Sequence, residues 1–358
     1  MLEVRSAEGA FATIEGWLRE RGFFAPGGED LVADLYLGYG LSETIRRDTS
    51  PPPPEPCPLP LAAASLRDTA EASSRTGATQ PLVGIWERTW ATAEYADAIE
   101  SVRAAIADGD VYQVNLVQHL AAPFAGEPWA LAEALAPLRP LVARPLSGDG
   151  WTIVSASPEV FLSRRGRVVR TMPIKGTRPA GHSADLLASS KDAAEHVMIV
   201  DLERNDLSRV CEPGSVRWPT LMSPEGMAGV EHLVSTVEGT LRSEVGLAEL
   251  LAATFPGGSV TGAPKIAAVD LIAGLEPVGR GASMGALGWI RGNGDLELAL
   301  TIRTFAVAEG TIHFWVGGGV VWDSDPLEEV EESWTKAAPI LRAIGAPLPD
   351  TVPNGAAA

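Results

Sequence analysis

Four consecutive prolines, Pro51 to Pro54, with Pro56 two residues on, set the first limit on this fold. Each holds φ at about −65° and lacks a backbone N–H, so neither a helix interior nor a central strand can run through them. The residues that follow are rich in Pro, Ala, Ser and Thr and show no hydrophobic periodicity. The pattern predicts a linker or surface excursion over 50–81, with a short segment, 1–49, before it. A main domain over 82–346 and a disordered tail over 347–358 complete the division. A proline-recognition ligand is the weaker account, because few basic or aromatic anchors flank the run.

Charge and cysteine content narrow the class. The 358 residues carry 28 basic and 46 acidic side chains, a net charge of −18. That balance argues against nucleic acid or an anionic membrane as partner, and an anionic substrate would need local Arg, Lys or a metal. Only Cys57 and Cys211 occur, so there is no disulfide framework and no CxxC metal knuckle. Residues 1–20 lack a basic stretch followed by an apolar run, and no segment reaches the ~18 apolar residues of a membrane span. A soluble protein of a reducing compartment, expected to be cytoplasmic, fits these limits.

Within the main domain, Tyr95, Ile99, Val102 and Ile106 fall at helical spacing before Gly109, and residues 6–22, 190–210, 244–254 and 263–275 also read as helices. Residues 111–116 alternate, with Gln113 and Asn115 on one face. Strands are expected at 151–155, 159–164 and 167–172, and a meander over 285–291, 296–307 and 311–316. Hairpins with interspersed helices predict an α+β fold with large antiparallel sheets.

Several regions could carry chemistry. Pro173 and Gly176 force a turn that presents Lys175 on a loop, sixteen residues after Glu159; alone, such a lysine is better explained as a solvated charge. In Asp325-Pro326-Leu327-Glu328, Asp325 is a good N-cap, Pro326 suits the first helical position and Glu328 completes a capping box. From there Glu329, Glu332 and Lys336 share one stripe, beside Val330 and Trp334. Taken alone, the segment is better explained as a solvated acidic face with an ordinary Glu332–Lys336 pair. A second helix adds Asp192 and Glu195, continuing into apolar Ile199 and Leu202. Should the two helices approach, Glu195, Glu329 and Glu332 would repel unless a cation sat among them, and oxygen-only donors suit Mg²⁺. The Phe255–Lys265 segment has Walker A glycine spacing, but Ala263-Pro264 stands where Lys-Ser or Lys-Thr is required, which excludes nucleotide phosphate binding. The loop can still meet an anion through backbone N–H groups. Gly317-Gly318-Gly319 permits close backbone approach to a ligand. Arg303 is either a carboxylate clamp or half of a structural ion pair.

Together, Ser157–Leu162, Pro173–Thr177, Glu195–Leu207, Gly257–Lys265 and Gly317–Lys336 resemble the signature blocks of the chorismate-utilising enzymes, in order, over residues 84–345. The resemblance implies two antiparallel sheets packed face to face with helices outside, and chorismate bound with Mg²⁺ in a cleft between them. By motif position, Glu195, Glu329 and Glu332 would hold the metal, with Asp192 nearby. Arg303 and Lys336 would grip a carboxylate with backbone around Gly319, and Thr261, Gly176 and Thr177 would line the pocket. Glu159 would be the general acid, and His232, otherwise an ordinary core histidine, the active-site histidine.

Two positions separate branches of the family. Gln113 stands where the isochorismate and salicylate synthases have a lysine that activates water, which argues against water as nucleophile. Lys175 resembles the lysine of the aminodeoxychorismate synthases, proposed there to add to the ring before ammonia replaces it. Anthranilate synthases usually carry a small residue at that position. The resemblance therefore implies amination of chorismate at C4, with ammonia from a separate glutamine amidotransferase subunit. Anthranilate synthase component I is the alternative, and an inactive chorismate-binding relative the second. No tryptophan-pocket motif is found in the short N-terminal segment, and Ser283 stands where relatives often place a tyrosine.

Overall fold

A computed structural model describes residues 1–67, 81–179, 181–227 and 230–349. The side chains of Thr177 and Asp192 lie outside the described set. The described strands form two antiparallel sheets, one of ten strands and one of eight, with helices around them, so the α+β expectation holds. The larger sheet runs Leu2–Val4, Ala62–Leu66, Val32–Leu37, Ala286–Arg291, Leu296–Leu300, Val160–Arg165, Val168–Met172, Val230–Thr240 and Ile174–Pro179, with Arg217–Met227 also paired to Val230–Thr240. The smaller is built on the long strand Gln113–Ala125, followed in order by Thr311–Val320, Thr304–Ala308, Trp151–Ser155 and Leu146–Gly148.

Apolar residues from both sheets merge into one core, including Leu35, Leu287 and Leu298 from the larger and Leu116, Ile153 and Phe305 from the smaller. Tyr36 and Trp151 bridge the layers with ring centroids 6.3 Å apart, and the Trp151 indole N–H donates to Glu3 at 2.8 Å. Helix Pro326–Ala343 packs on Thr311–Val320 and on helix Thr92–Ala107. Helix Ser190–Ser208 packs on Val230–Thr240 and Ile174–Pro179. Among the described residues no helix is long and apolar enough to cross a membrane.

Three expectations need correction. The first 49 residues are not a separate segment, because Val32–Leu37 lies between Ala62–Leu66 and Ala286–Arg291 in the larger sheet. The stretch read as a linker is structural over much of its length. The Pro54 carbonyl accepts from Gly279 N–H, the Glu55 carboxylate accepts from Gly281 N–H at 2.9 Å, and Ala62–Leu66 is a strand. Prolines bar a strand only where they stand, and the chain resumes pairing eight residues past Pro54. Residues 68–80 of that stretch lie outside the described residues. Third, 296–307 is not one strand. It breaks at Thr301–Arg303, where the chain leaves the larger sheet for the smaller.

Candidate active site

That break is half of a paired structure. The chain passes from the smaller sheet to the larger over 156–159 and returns over 301–303. The passages are tied by Leu300 N–H to Glu159 O and Ala156 N–H to Arg303 O, both 2.9 Å. A Ser155–Thr304 hydroxyl contact of 2.7 Å closes the join. Arg303 takes φ 51, a left-handed conformation that costs a side-chain-bearing residue about 1 kcal/mol and turns the backbone out of the sheet. Arg303 thus stands at the seam between sheets and not within the single strand expected over 296–307.

Glu159 is 3% exposed at this seam. Burial pushes its carboxyl up from the usual range, while Lys175, the Ser259 hydroxyl, the Ile174 N–H and Arg303 act against that rise. Ile174 N–H reaches Glu159 Oε1 at 3.4 Å. Burial pulls the Arg303 guanidinium down, and the Glu159 carboxylate opposes it. An acid is therefore held with two cations facing it in a poorly solvated place.

Lys175 lies on the strand Ile174–Pro179, opposite Leu233, and not on the open loop the Pro173 and Gly176 pair predicts. The turn those residues demand is present as a register shift between Lys175 and Arg178, with Gly176 at φ 63. This bulge aims the Gly176 carbonyl at His232, whose Nδ1 lies 2.8 Å away. A carbonyl only accepts, so Nδ1 carries the proton and Nε2 is the basic nitrogen. Burial lowers the His232 pKa, Arg303 adds to the lowering, and the Gly176 bond works against it.

The loop after helix Leu247–Thr254 links this end of the site to the other. Ser259 bonds Glu159, the Thr261 carbonyl accepts from Asn115 N–H at 2.7 Å, and Gly262–Ala263 pairs with Gln113 and Val114. The Thr261 hydroxyl donates to Gly257 O at 2.9 Å, which holds the loop closed on itself. Lys265 fastens the loop, donating to Asp206 Oδ2 at 2.5 Å, Pro256 O at 2.6 Å and Thr254 O at 3.2 Å. Arg280 braces it from behind through Val260 O at 2.8 Å and Asn115 O at 2.6 Å.

At the far end, the carboxylate of Asp325 caps helix Pro326–Ala343 by accepting from Leu327 and Glu328 N–H groups. Val330 and Trp334 are buried as the stripe predicts. Glu329 is buried beside them, its Oε1 accepting from the Ser324 hydroxyl at 2.6 Å. Glu332 and Lys336 are exposed and paired at 2.6 Å, and Lys336 Nζ reaches Gly317 O at 3.3 Å. A Cβ at Gly318 would lie 3.1 Å from Lys336 Nζ, 3.5 Å from Glu329 Oε2 and 3.8 Å from Glu332 Oε1. Three charged ends therefore meet over bare backbone. A Cβ at Gly319 would lie 1.9 Å from Gln113 Nε2, so the buried amide occupies the space a side chain would need.

The structure thus gathers Glu159, Lys175, His232 and Arg303 at one end, and Gln113, Gly319, Glu329, Glu332 and Lys336 at the other. Glu195 comes from helix Ser190–Ser208 on the larger sheet. Among the described residues no three His, Cys, Asp or Glu side chains are close enough to hold a metal ion. The donors themselves are all carboxylate oxygens, which suits a hard cation such as Mg²⁺, and the cradle over Gly318 leaves Glu329 Oε2 directed into it. Ser259, Ser324, Lys265 and Arg280 went unremarked in the sequence. Each acts through a backbone carbonyl or another functional side chain, and neither kind of partner leaves a periodic trace.

A family model described as chorismate binding enzyme matches residues 46–342. Aminodeoxychorismate synthase component 1 of Klebsiella aerogenes is 39% identical over 279 residues, covering 75% of this chain and 61% of that protein. Anthranilate synthase component 1 of Streptomyces coelicolor is 39% identical over 314 residues, covering 85% and 59%. The chain thus spans about three fifths of the length of these relatives. Among solved structures, anthranilate synthase component I from Streptococcus pneumoniae superposes with a TM-score of 0.76 at 28% identity, covering 86% of this chain and 80% of that one.

Proposed function

Because the chain belongs to the family of chorismate-binding enzymes, we propose that it aminates chorismate at C4, giving 4-amino-4-deoxychorismate. The observation that carries this reading is Lys175 facing Glu159, an amine beside a buried acid. In the net reaction a ring C–O bond breaks, a C–N bond forms, and the hydroxyl leaves as water. Glu159 would supply the proton to that hydroxyl, and Lys175 would add to the ring before ammonia displaces it. Arg303 would hold one substrate carboxylate at the seam and Lys336 another beside Gly319. Neutral His232, its Nδ1 proton directed at the Gly176 carbonyl, would accept a hydrogen bond or proton from substrate at Nε2. Gln113 orders the far wall without a basic lone pair, so water gains no activation there.

Glu195, Glu329 and Glu332 do not stand close enough together in this structure to hold a metal ion. They would have to close on Mg²⁺ for it to supply the positive charge that a dianionic substrate needs in a chain this acidic. Ammonia would come from a separate glutamine amidotransferase. Cys57 and Cys211 are both buried, and burial pushes their thiols up to about 12 and about 11, which makes poor glutaminase nucleophiles.

Anthranilate synthesis is the second reading, favoured by relatives of that name at equal identity. The test is mass spectrometry of products from chorismate, Mg²⁺ and an ammonium salt at alkaline pH. An aminated product that keeps its pyruvyl group supports the C4 reading. Released pyruvate with fluorescent anthranilate would move the assignment to the second.

A further inference from the structure

Helix Ser190–Ser208 carries a carboxyl that the proposed chemistry leaves unused. Glu203 is 6% exposed and accepts from the Thr171 hydroxyl at 2.8 Å. It lies directly beneath the loop that touches the acid, since a Cβ at Gly258 would stand 3.3 Å from Glu203 Cγ and 2.9 Å from Leu202 Cδ2. The next residue, Ser259, bonds Glu159. A cavity of about 10 Å³, room for about one water, opens between Thr171, Glu203, Asp206 and Gly258.

We propose that Glu203 is a positioning residue for Glu159, supporting the Gly258–Ser259 turn from below and governing, by its own charge, how tightly Glu159 keeps its proton. The groups facing Glu203 fit that role. Thr171 is its hydrogen-bond donor, Glu159 and Asp206 are like charges, and Lys265 is the opposing cation. Asp206 is matched by Lys265 at 2.5 Å, and Glu159 is the neighbour joined to Glu203 through the Gly258–Ser259 turn. Burial above all, with Glu159 and Asp206 adding to it, pushes the Glu203 carboxyl up to about 8, against the Thr171 bond and Lys265. Glu203 is thus neutral near pH 7 and charged above pH 8. A negative charge on Glu203 makes proton loss from Glu159 harder, and by the same coupling a charged Glu159 holds the Glu203 proton more tightly.

The proposal rests on Glu159 being the general acid, and two measurements separate the two ideas. Infrared titration of the protonated carboxyl bands needs no turnover. In Glu159→Gln, the band that disappears in Glu203→Gln should titrate at lower pH than in the wild type, by about one unit for carboxyls coupled this closely. In Glu203→Gln, the alkaline limb of kcat/KM for chorismate should move to lower pH by a similar amount, with thermal unfolding little changed. An unmoved Glu203 band in Glu159→Gln overturns the coupling whatever the activity. A coupled band in a protein whose Glu159→Gln variant still turns over chorismate at the wild-type rate overturns the acid role and leaves the coupling standing.

Discussion

Glu159 and Arg303 stand where the chain steps between the two sheets, and the steps are hydrogen-bonded to one another through Leu300 N–H and Ala156 N–H. The acid and its facing cation are therefore placed by backbone pairing, before any side-chain contact is considered. Such a junction keeps its geometry when a side chain is exchanged, so the functional and structural effects of mutation should separate there.

Arg303→Gly is the cleanest exchange. Glycine suits φ 51, so the unfolding free energy should stay within about 1 kcal/mol of wild type in urea titration. The KM for chorismate should rise roughly 10- to 100-fold, the value of a charge-assisted hydrogen bond. An unchanged KM would remove Arg303 from the substrate site.

Lys175→Ala should lower C4 amination by about 10²-fold or more while chorismate still binds. The readout is the aminated product by mass spectrometry, beside equilibrium binding. Full amination by this variant would favour the anthranilate reading.

The two central glycines should respond differently to alanine. Gly319→Ala drives a methyl into buried Gln113 and should cost about 1–3 kcal/mol of stability by thermal unfolding. Adding Gln113→Ala should recover part of that loss, a non-additivity expected of residues in contact. Gly318→Ala has the ends of Lys336, Glu329 and Glu332 as its nearest neighbours, so the melting temperature should hold while the Mg²⁺ concentration for half-maximal activity rises severalfold.

Stability should depend on pH through two opposing pairs. Burial lowers His119 to about 3 and His313 to about 4, from 6.5 when exposed. Their stabilisation is present above pH 6.5 and is lost as pH falls below it. Burial raises Glu55 to about 7 and Glu203 to about 8, from 4.5. Their stabilisation is present below pH 4.5 and is lost as pH rises toward 8. Between pH 4.5 and 6.5 the two trends offset each other. Denaturant titrations should show Glu55→Gln/Glu203→Gln gaining stability with rising pH in that window, by up to about 2.7 kcal/mol per unit. His119→Gln/His313→Gln should show the reverse slope, and parallel curves for both would contradict the assignment.

Legibility of the fold followed the range of the interactions. Asp325, Pro326, Val330 and Trp334 act within one helix, and their roles were readable from spacing. Val32–Leu37 was missed as a central strand because its partners, Ala62–Leu66 and Ala286–Arg291, are distant in sequence. Leu296–Leu300 and Thr304–Ala308 merged into one predicted strand because both are apolar and only the conformation of Arg303 divides them. Lys175 was readable as a special position from Pro173 and Gly176, yet a bulge and a loop share that residue pattern. Glu203 looked like one more charge on an acidic helix, since nothing local shows that the Gly258 turn lies over it.

The placement of Val32–Leu37 also bears on how the protein is made. That strand is synthesised early, but one of its two neighbours is Ala286–Arg291, which leaves the ribosome only when most of the chain is complete. Until then it can pair with Ala62–Leu66 alone, and its other edge stays open. Closure of the larger sheet is thus a late event of high contact order, slow relative to its local hairpins. A fragment starting at residue 82 would lack three strands of that sheet and expose Ala286–Arg291 as a bare edge, so expression as an isolated C-terminal piece should favour aggregation over folding.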